Sequence, residues 1–313
     1  MKRELRLRQR RQPTHASAPT HEAPGDRSFD GTLVRRTGNT TYEHDNQGRL
    51  VVKRRKLLNG QYRTWAYTWN AEDRLTEVLT PDGGRWRYAY DPLGRRIAKY
   101  RCDEDGSETD RTEFVWDTMR LAEQHLRDGR VTTWDYAPDS HRPLTQTDHR
   151  RRAHPQGSSY FAMLADDTTA DRTTRFQVVI TDAIGTPTEL VTAQGEMTWQ
   201  RRTSLWGSPL PGPAEPTSTS CPLRFPGQYA DAETGLHYAY FRYYDPQTAC
   251  YLSQDPLGLK PAPNPTAYIR HPGTWSDPLG LYGCELEDLG GSWHRSPKGL
   301  DYGGRWHPGR ASL

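Results

Sequence analysis

Trp86-Arg87-Tyr88-Ala89-Tyr90-Asp91-Pro92-Leu93-Gly94-Arg95-Arg96-Ile97 reads as a strand, a tight turn and the start of a returning strand. Aromatic residues at 86, 88 and 90 follow the period of two that gathers them on one face of a strand. Arg85 and Arg87 fall on the opposite, solvated face. Asp91-Pro92-Leu93-Gly94 supplies the turn, because Pro presets φ and Gly accepts φ > 0. The unit recurs: Tyr42-x-x-Asp45-x-x-Gly48-Arg49-Leu50 and Tyr67-x-x-Asn70-x-x-Asp73-Arg74-Leu75 precede Tyr88-x-x-Asp91-x-x-Gly94-Arg95, with Tyr-to-Tyr spacings of 25 and 21 residues. Self-similarity at such a period marks a repeat architecture in which no unit buries its apolar face alone. Phe114-Val115-Trp116-Asp117 and Thr133-Trp134-Asp135-Tyr136 are weaker copies that lack the Gly-Arg ending.

Outward from the repeats, residues 1–39 are basic and then rich in Pro, Ala, Thr and His, and are expected to be a disordered leader. Residues 137–173 read as a polar loop carrying His141, His149 and His154, expected to be solvated, and Arg150-Arg151-Arg152, three arginines that do not by themselves make a nucleic-acid site. Strand pattern returns at Phe176-Gln177-Val178-Val179-Ile180 with a turn at Asp182–Pro187, and Glu196–Gln200 is expected to be its hairpin partner. Residues 208–222 have the Pro, Ser and Thr content of a linker. Helix signals are sparse.

The 313 residues include only 33% hydrophobic side chains, and the mean hydropathy of −0.96 rules out a large oily core. Yet 10 Trp, 17 Tyr and 6 Phe are too many for a disordered polar chain. Strands whose aromatics pack across neighbours, joined by the turns that 27 Gly and 24 Pro permit, reconcile the two. A net charge of +3 gives no global field for nucleic acid. There is no apolar run of about 18 residues for a membrane span and no h-region behind the basic N-terminus for a signal peptide. Cys102, Cys221, Cys250 and Cys284 lack metal-ligand spacing and are expected to be reduced thiols. Nothing calls for a metal or another cofactor.

The second organising stretch runs from Leu223 to Leu281. It contains Arg224-Phe225-Pro226-Gly227-Gln228-Tyr229, Glu233-Thr234-Gly235-Leu236-His237-Tyr238, Arg242-Tyr243-Tyr244-Asp245-Pro246 and Tyr251-Leu252-Ser253-Gln254. One pentapeptide occurs twice, Asp255-Pro256-Leu257-Gly258-Leu259 and Asp277-Pro278-Leu279-Gly280-Leu281. Taken alone, each is a β-turn, and Asp91-Pro92-Leu93-Gly94 shows the same tetrapeptide inside a repeat. Together with the Tyr-Asp repeats, however, these tokens resemble the core-associated region of the Rhs/YD-repeat family, specifically the C-terminal part of a polymorphic toxin of the actinobacterial type. Cys250 departs from the pattern, standing where members often carry a basic residue.

The resemblance implies a mostly β fold: repeat hairpins forming part of a spiral β-shell closed by the core-associated segment. The expected divisions are leader 1–39, repeat scaffold 40–207, linker 208–222, core-associated domain 223–281, and a variable toxin stub 282–313. It also implies that the chain cuts itself between Leu281 and Tyr282, with Asp255 and Asp277 as the catalytic pair. Two carboxyls held close together split their pKa values, so that one activates water while the other donates a proton. Arg242 would orient a carboxylate or stabilise the oxyanion; the competing reading of Arg242 and Asp245 is an ion pair fixing their strand. His237 is read as a structural histidine rather than a proton relay. The 32-residue tail is too short for a free-standing domain, and His294 and His307 do not make it a nuclease.

The implied function is a C-terminal fragment of a toxin-delivery shell acting in interbacterial competition, an intramolecular aspartyl autoprotease that releases whatever follows Leu281. The alternative is a non-catalytic interaction scaffold, a degenerate relic contacting carbohydrate, in which the pentapeptides are only turns. The implied partners are the chain's own C-terminal segment as substrate, other Rhs shell segments, an immunity protein and secretion machinery, with no nucleic acid. Synthesis in the cytoplasm and export by a specialised secretion system follow from the same resemblance.

Overall fold

The computed structural model describes residues 25–150, 174–211 and 220–285, together with the backbone of two short N-terminal strands, β1 (Glu4–Leu7) and β2 (Pro13–Ser17). Every described element is a strand or a turn. From β3 (Gly25–Asp30) to β17 (Met197–Gln200), each strand pairs antiparallel with its neighbours in the chain, and β1 and β2 extend this sheet to 17 strands. No pairing joins β17 to the first strands, so the described sheet is open. Such a meander contains only local connections, as expected of repeats that stack on nearest neighbours.

The repeats build the same turn each time. Asp45 Oδ1 accepts the amides of Gln47 and Arg49, both at 3.0 Å, and Asn70 Oδ1 accepts those of Glu72 and Arg74 at 3.1 and 2.9 Å. The fourth position of each turn is left-handed: φ is +77° at Gly48, +58° at Asp73 and +88° at Gly94. Asp73 occupies this region as one of the few non-glycine types that tolerate it. The repeat arginine serves two units at once: Arg49 Nε holds Asp45 at 2.7 Å while its Nη1 reaches Asp73 of the next turn at 2.9 Å. Arg95 likewise binds Asp91 at 2.7 Å and the Thr118 carbonyl at 3.1 Å. Tyr42, Tyr67 and Tyr88 are all buried, whereas Arg85 and Arg87 are exposed.

Several boundaries differ from expectation. β3 and β4 (Leu33–Thr37) lie inside the expected disordered leader 1–39, so the sheet begins before Thr40. Their alternation is masked by charged residues, which occupy exposed positions and, at Arg27, a buried one whose guanidinium donates to the Thr248 carbonyl at 2.8 Å. The expected loop 137–173 begins with a full strand, β14 (Pro143–Arg150), that pairs with β13 (Arg130–Tyr136). His149 belongs to that strand, and His141 is half-buried rather than solvated, with its pKa lowered to about 4 by desolvation. The hairpin partner of β15 (Arg175–Thr181) is β16 (Pro187–Thr192), and Met197–Gln200 pairs one strand further on. Arg151, Arg152 and His154 lie outside the described residues, as do residues 212–219 of the linker and 286–313 of the tail. Linker residues 208–211 are tied in by Ser208 Oγ, which donates to the Pro246 carbonyl at 2.7 Å, and by the Leu210 amide on the Arg202 carbonyl at 2.8 Å.

The core-associated stretch forms a small sheet, β18 (Tyr229–Asp231), β19 (Leu236–Ala239), β20 (Arg242–Asp245) and β21 (Cys250–Tyr251). Every residue of β19 and β20 is buried, whereas the large sheet alternates, as in β5 (Thr40–His44). The small sheet is therefore covered on both faces. Leu236, Tyr238, Tyr243 and Leu252 pack with Val34, Tyr42, Tyr67 and Tyr88 near one end of the large sheet. Leu223 and Tyr229 pack with Phe114, Trp134, Leu190 and Trp199 near the other.

Polar side chains buried in this way need partners, and the large sheet provides them. Arg96 of β10 (Arg96–Cys102) binds Asp231 through two nitrogens at 2.6 and 2.9 Å, and Lys99 reaches Asp231 at 3.1 Å and Glu233 at 2.8 Å. Lys53 pairs with Asp245 at 3.3 Å. Asp245 therefore docks the small sheet to the large one instead of pairing with Arg242.

Candidate active site

Arg242 opens β20 directly after a tight turn in which Tyr240 has φ +49°. Its side chain is 2% exposed, and its Nη2 meets both aspartates, Asp255 Oδ2 at 2.8 Å and Asp277 Oδ2 at 3.4 Å. The rest of the guanidinium is satisfied by backbone: Nε donates to the Gly280 carbonyl and Nη1 to the Pro265 carbonyl at 3.0 Å. The ring of Tyr251 lies beneath it, 3.7 Å from guanidinium carbon to ring centroid. Three residues singled out in the sequence thus converge, although 22 positions separate the two aspartates.

Two loops deliver the carboxylates. The Asp255 loop is pinned at its base by the Tyr251 amide on the Thr266 carbonyl, 2.8 Å, and the Asp255 amide on the Pro265 carbonyl, 3.0 Å. Asp255 Oδ1 accepts the Leu257 amide at 2.8 Å. Burial pushes the Asp255 carboxyl up to about 6, with Arg242 opposing and Asp277 adding to the rise. The Asp277 loop follows β22 (Trp275–Ser276), which pairs with β23 (Cys284–Glu285). Gly280 approaches β19 so closely that a Cβ there would lie 2.5 Å from the Ala239 carbonyl oxygen, and its φ is +71°.

Asp277 has more donors than Asp255. Tyr251 Oη donates to its Oδ2 at 2.8 Å, while its Oδ1 accepts the amides of Leu281 at 2.8 Å and Tyr282 at 3.1 Å. The nitrogen of the Leu281–Tyr282 peptide is therefore in direct contact with this carboxylate. The Asp277–Leu281 bond also matches the repeat turn, where Asp91 Oδ1 accepts the Arg95 amide at 2.9 Å. The difference lies in what else is present. The Asp91 side chain is 13% exposed and faces its own Arg95, whereas that of Asp277 is 2% exposed and shares a distant arginine with a second aspartate.

Tyr251 stands in the sequence within the Tyr251–Gln254 token but has no assigned role there. Its position four residues before Asp255 was the available signal. Burial drives its phenol pKa well above the ordinary value, and Asp277 adds to that. His237 lies apart from the site: it is buried against Gln228 at 3.0 Å, and desolvation holds its pKa well below the usual range, as befits a structural imidazole. Cys102, Cys221 and Cys250 are free and buried, and no cluster of three metal-ligating side chains occurs among the described residues. No helix of the described residues is long and apolar enough to cross a membrane.

Comparison with known proteins bears on the family and the fold. Residues 69–108, which include the third Tyr-Asp unit, match the RHS Repeat family. The chain is 36% identical to the probable deoxyribonuclease RhsB of Dickeya dadantii across 83% of its own length and 16% of that protein. It is 35% identical to the toxin protein Tse5 of Pseudomonas aeruginosa across 82% of its length and 20% of that protein. The chain thus spans about a fifth or less of these relatives. Among solved structures, a crystal structure of TcdB2-TccC3-TEV superposes on 89% of this chain and 15% of its own, with TM-score 0.53 and 17% identity, which is a likeness of fold. The Tyr-Asp turns, the open β meander and the inward-packed small sheet are accordingly those of the RHS/YD-repeat family, to which this chain belongs.

Proposed function

We propose that this chain is part of a toxin-delivery shell and that it cuts its own backbone between Leu281 and Tyr282 with Asp277 and Asp255. The observation that carries the reading is the shared contact of Arg242 with two buried carboxylates, one of which also holds the Tyr282 amide at 3.1 Å. Asp277, with the larger set of donors, takes the water-activating role, and Asp255, raised to about 6 by burial, the proton-donating one. Water adds through its oxygen to the Leu281 carbonyl carbon. Its proton passes to Asp277, while Asp255 protonates the carbonyl oxygen. As the carbon–nitrogen bond breaks, Asp277 returns that proton to the Tyr282 nitrogen and Asp255 recovers its own as the carboxyl forms. Arg242, in contact with both side chains, offsets the negative charge of whichever carboxyl is ionised, and tethering the substrate in cis supplies a high effective concentration.

In this reading the released segment is the shell's cargo. The shell serves competition between bacteria, and its partners are further shell segments, an immunity protein and the export machinery. The second reading, a non-catalytic scaffold, draws on the turn geometry that Asp277 shares with Asp91. Intact mass of the purified 313-residue chain, beside Asp255→Asn and Asp277→Asn, separates them. Autoproteolysis removes residues 282–313 from the wild type and from neither variant. A folded, uncut wild type refutes it in favour of the scaffold.

A further inference from the structure

We infer that Tyr251 is a positioning residue for this cleavage: its hydroxyl holds Asp277 in the proton-accepting state while its ring seats the arginine shared by the two aspartates. The inference rests on the aspartyl-cleavage reading above and assigns a residue that reading leaves out.

Tyr251 is 3% exposed, and a phenol hydroxyl that deep in the protein needs a partner. Its partner is Asp277 Oδ2 at 2.8 Å, and the same ring lies 3.7 Å from the Arg242 guanidinium carbon. One side chain therefore touches both the carboxylate and the cation. The groups facing Asp277 are Arg242 from β20, Tyr251 from β21, and Asp255 and Tyr268 from the loop between β21 and β22. Arg242 contacts both aspartates and lies nearer to Asp255, at 2.8 Å, than to Asp277, at 3.4 Å, so it does not favour the ionised form of Asp277 over that of Asp255. Tyr268 is also buried, but its hydroxyl faces the Asp277 backbone and donates to neither carboxylate. The side-chain donor that serves Asp277 and not Asp255 is Tyr251. Burial, seconded by Asp277, keeps both phenols protonated, so Tyr251 remains a donor across the working range. A hydrogen bond to the charged form of a carboxyl favours that form.

The test is the pH–rate profile of self-cleavage by the full chain, started by dilution from urea at set pH, for the wild type, Tyr251→Phe and Tyr251→Gln. The acid limb reports ionisation of Asp277 and the alkaline limb loss of the Asp255 proton. Tyr251→Phe keeps the ring under Arg242 and removes one donor from Asp277. Its acid limb is expected to move up by about one pH unit, the scale of one hydrogen bond to a charged group, while its alkaline limb stays in place. Tyr251→Gln restores a donor without the ring. It is expected to return the acid limb toward the wild-type position while the maximum rate stays at least about tenfold low. A merely structural role lowers the rate and leaves the acid limb where it was, and that result in Tyr251→Phe overturns the inference. A wild type that does not cleave, or an Asp277→Asn chain that still does, overturns the cleavage reading itself and the inference with it.

Discussion

Replacing Arg96 by Met is expected to destabilise the protein by about 3–5 kcal/mol, the cost of leaving a buried charge without its partner. The Arg96 and Asp231 side chains are 1% and 0% exposed. The arginine makes two bonds to the carboxylate and a third to Tyr243 Oη at 3.3 Å, and its guanidinium carbon lies 4.4 Å from the ring centroid of Tyr238. Substitution leaves Asp231 and Glu233 to share Lys99 alone. Methionine fills much of the volume, so the loss reports charge more than packing. In urea unfolding, at a slope of about 3 kcal/mol/M, the midpoint falls by at least about 1 M with the slope unchanged. Adding Asp231→Leu recovers most of the loss, because Lys99 and Glu233 then pair with each other.

The pH dependence carries a second signature. Burial opposes ionisation of Asp231, but Arg96 and Lys99 outweigh it and hold its pKa below the ordinary carboxylate range. The stability this contributes is present above that range and is lost as pH falls through it toward the lowered folded value. In Arg96→Met much of that acid-side slope disappears. A midpoint shift under about 0.3 M, or an unchanged acid-side slope, would refute the view that this ion cluster docks the core-associated sheet to the repeats.

Asp255 must be protonated to donate, so self-cleavage is expected to slow about tenfold for each pH unit above its pKa of about 6, measured as the rate of appearance of the cut chain. Arg242→Lys retains the charge but not the fork that reaches Asp255, Asp277, Pro265 and Gly280, and is expected to slow cleavage at least about tenfold with little change in secondary structure by circular dichroism. Gly280→Ala places a Cβ 2.5 Å from the Ala239 carbonyl oxygen at φ +71°, and is expected to lower the unfolding free energy by at least about 1–2 kcal/mol and to slow cleavage by shifting Asp277.

Much of this architecture was legible because it is local. Tyr42, Tyr67 and Tyr88 alternate with solvated residues, and Asp45, Asn70 and Asp91 accept amides within four residues of themselves, so each repeat declares its strand and turn without reference to the rest of the chain. Asp73 in the glycine position of its turn was legible for the same reason. The misread stretches are those where alternation is masked: Leu33–Thr37, three of whose five residues are charged or polar, and Pro187–Thr192, whose buried positions Pro187 and Leu190 are three residues apart rather than two.

At the site, residue types and spacing pointed to Asp255, Asp277 and Arg242, because the repeated pentapeptide and the tokens around it stand out in a linear reading. What they could not reveal is who pairs with whom. Asp245 lies three residues from Arg242 in sequence yet binds Lys53, 192 residues away, while Arg242 bridges two loops and Tyr251 joins them from a neighbouring strand. The sequence by itself determined strands, turns and the family they spell, since hydrogen bonds within a few residues and a period of two depend on neighbours alone. Only the tertiary structure decided that the core-associated sheet is covered on both faces, for there each buried charge must find a partner wherever folding brings one. That requirement, set by the cost of desolvation, is what gathers two distant aspartates around one arginine.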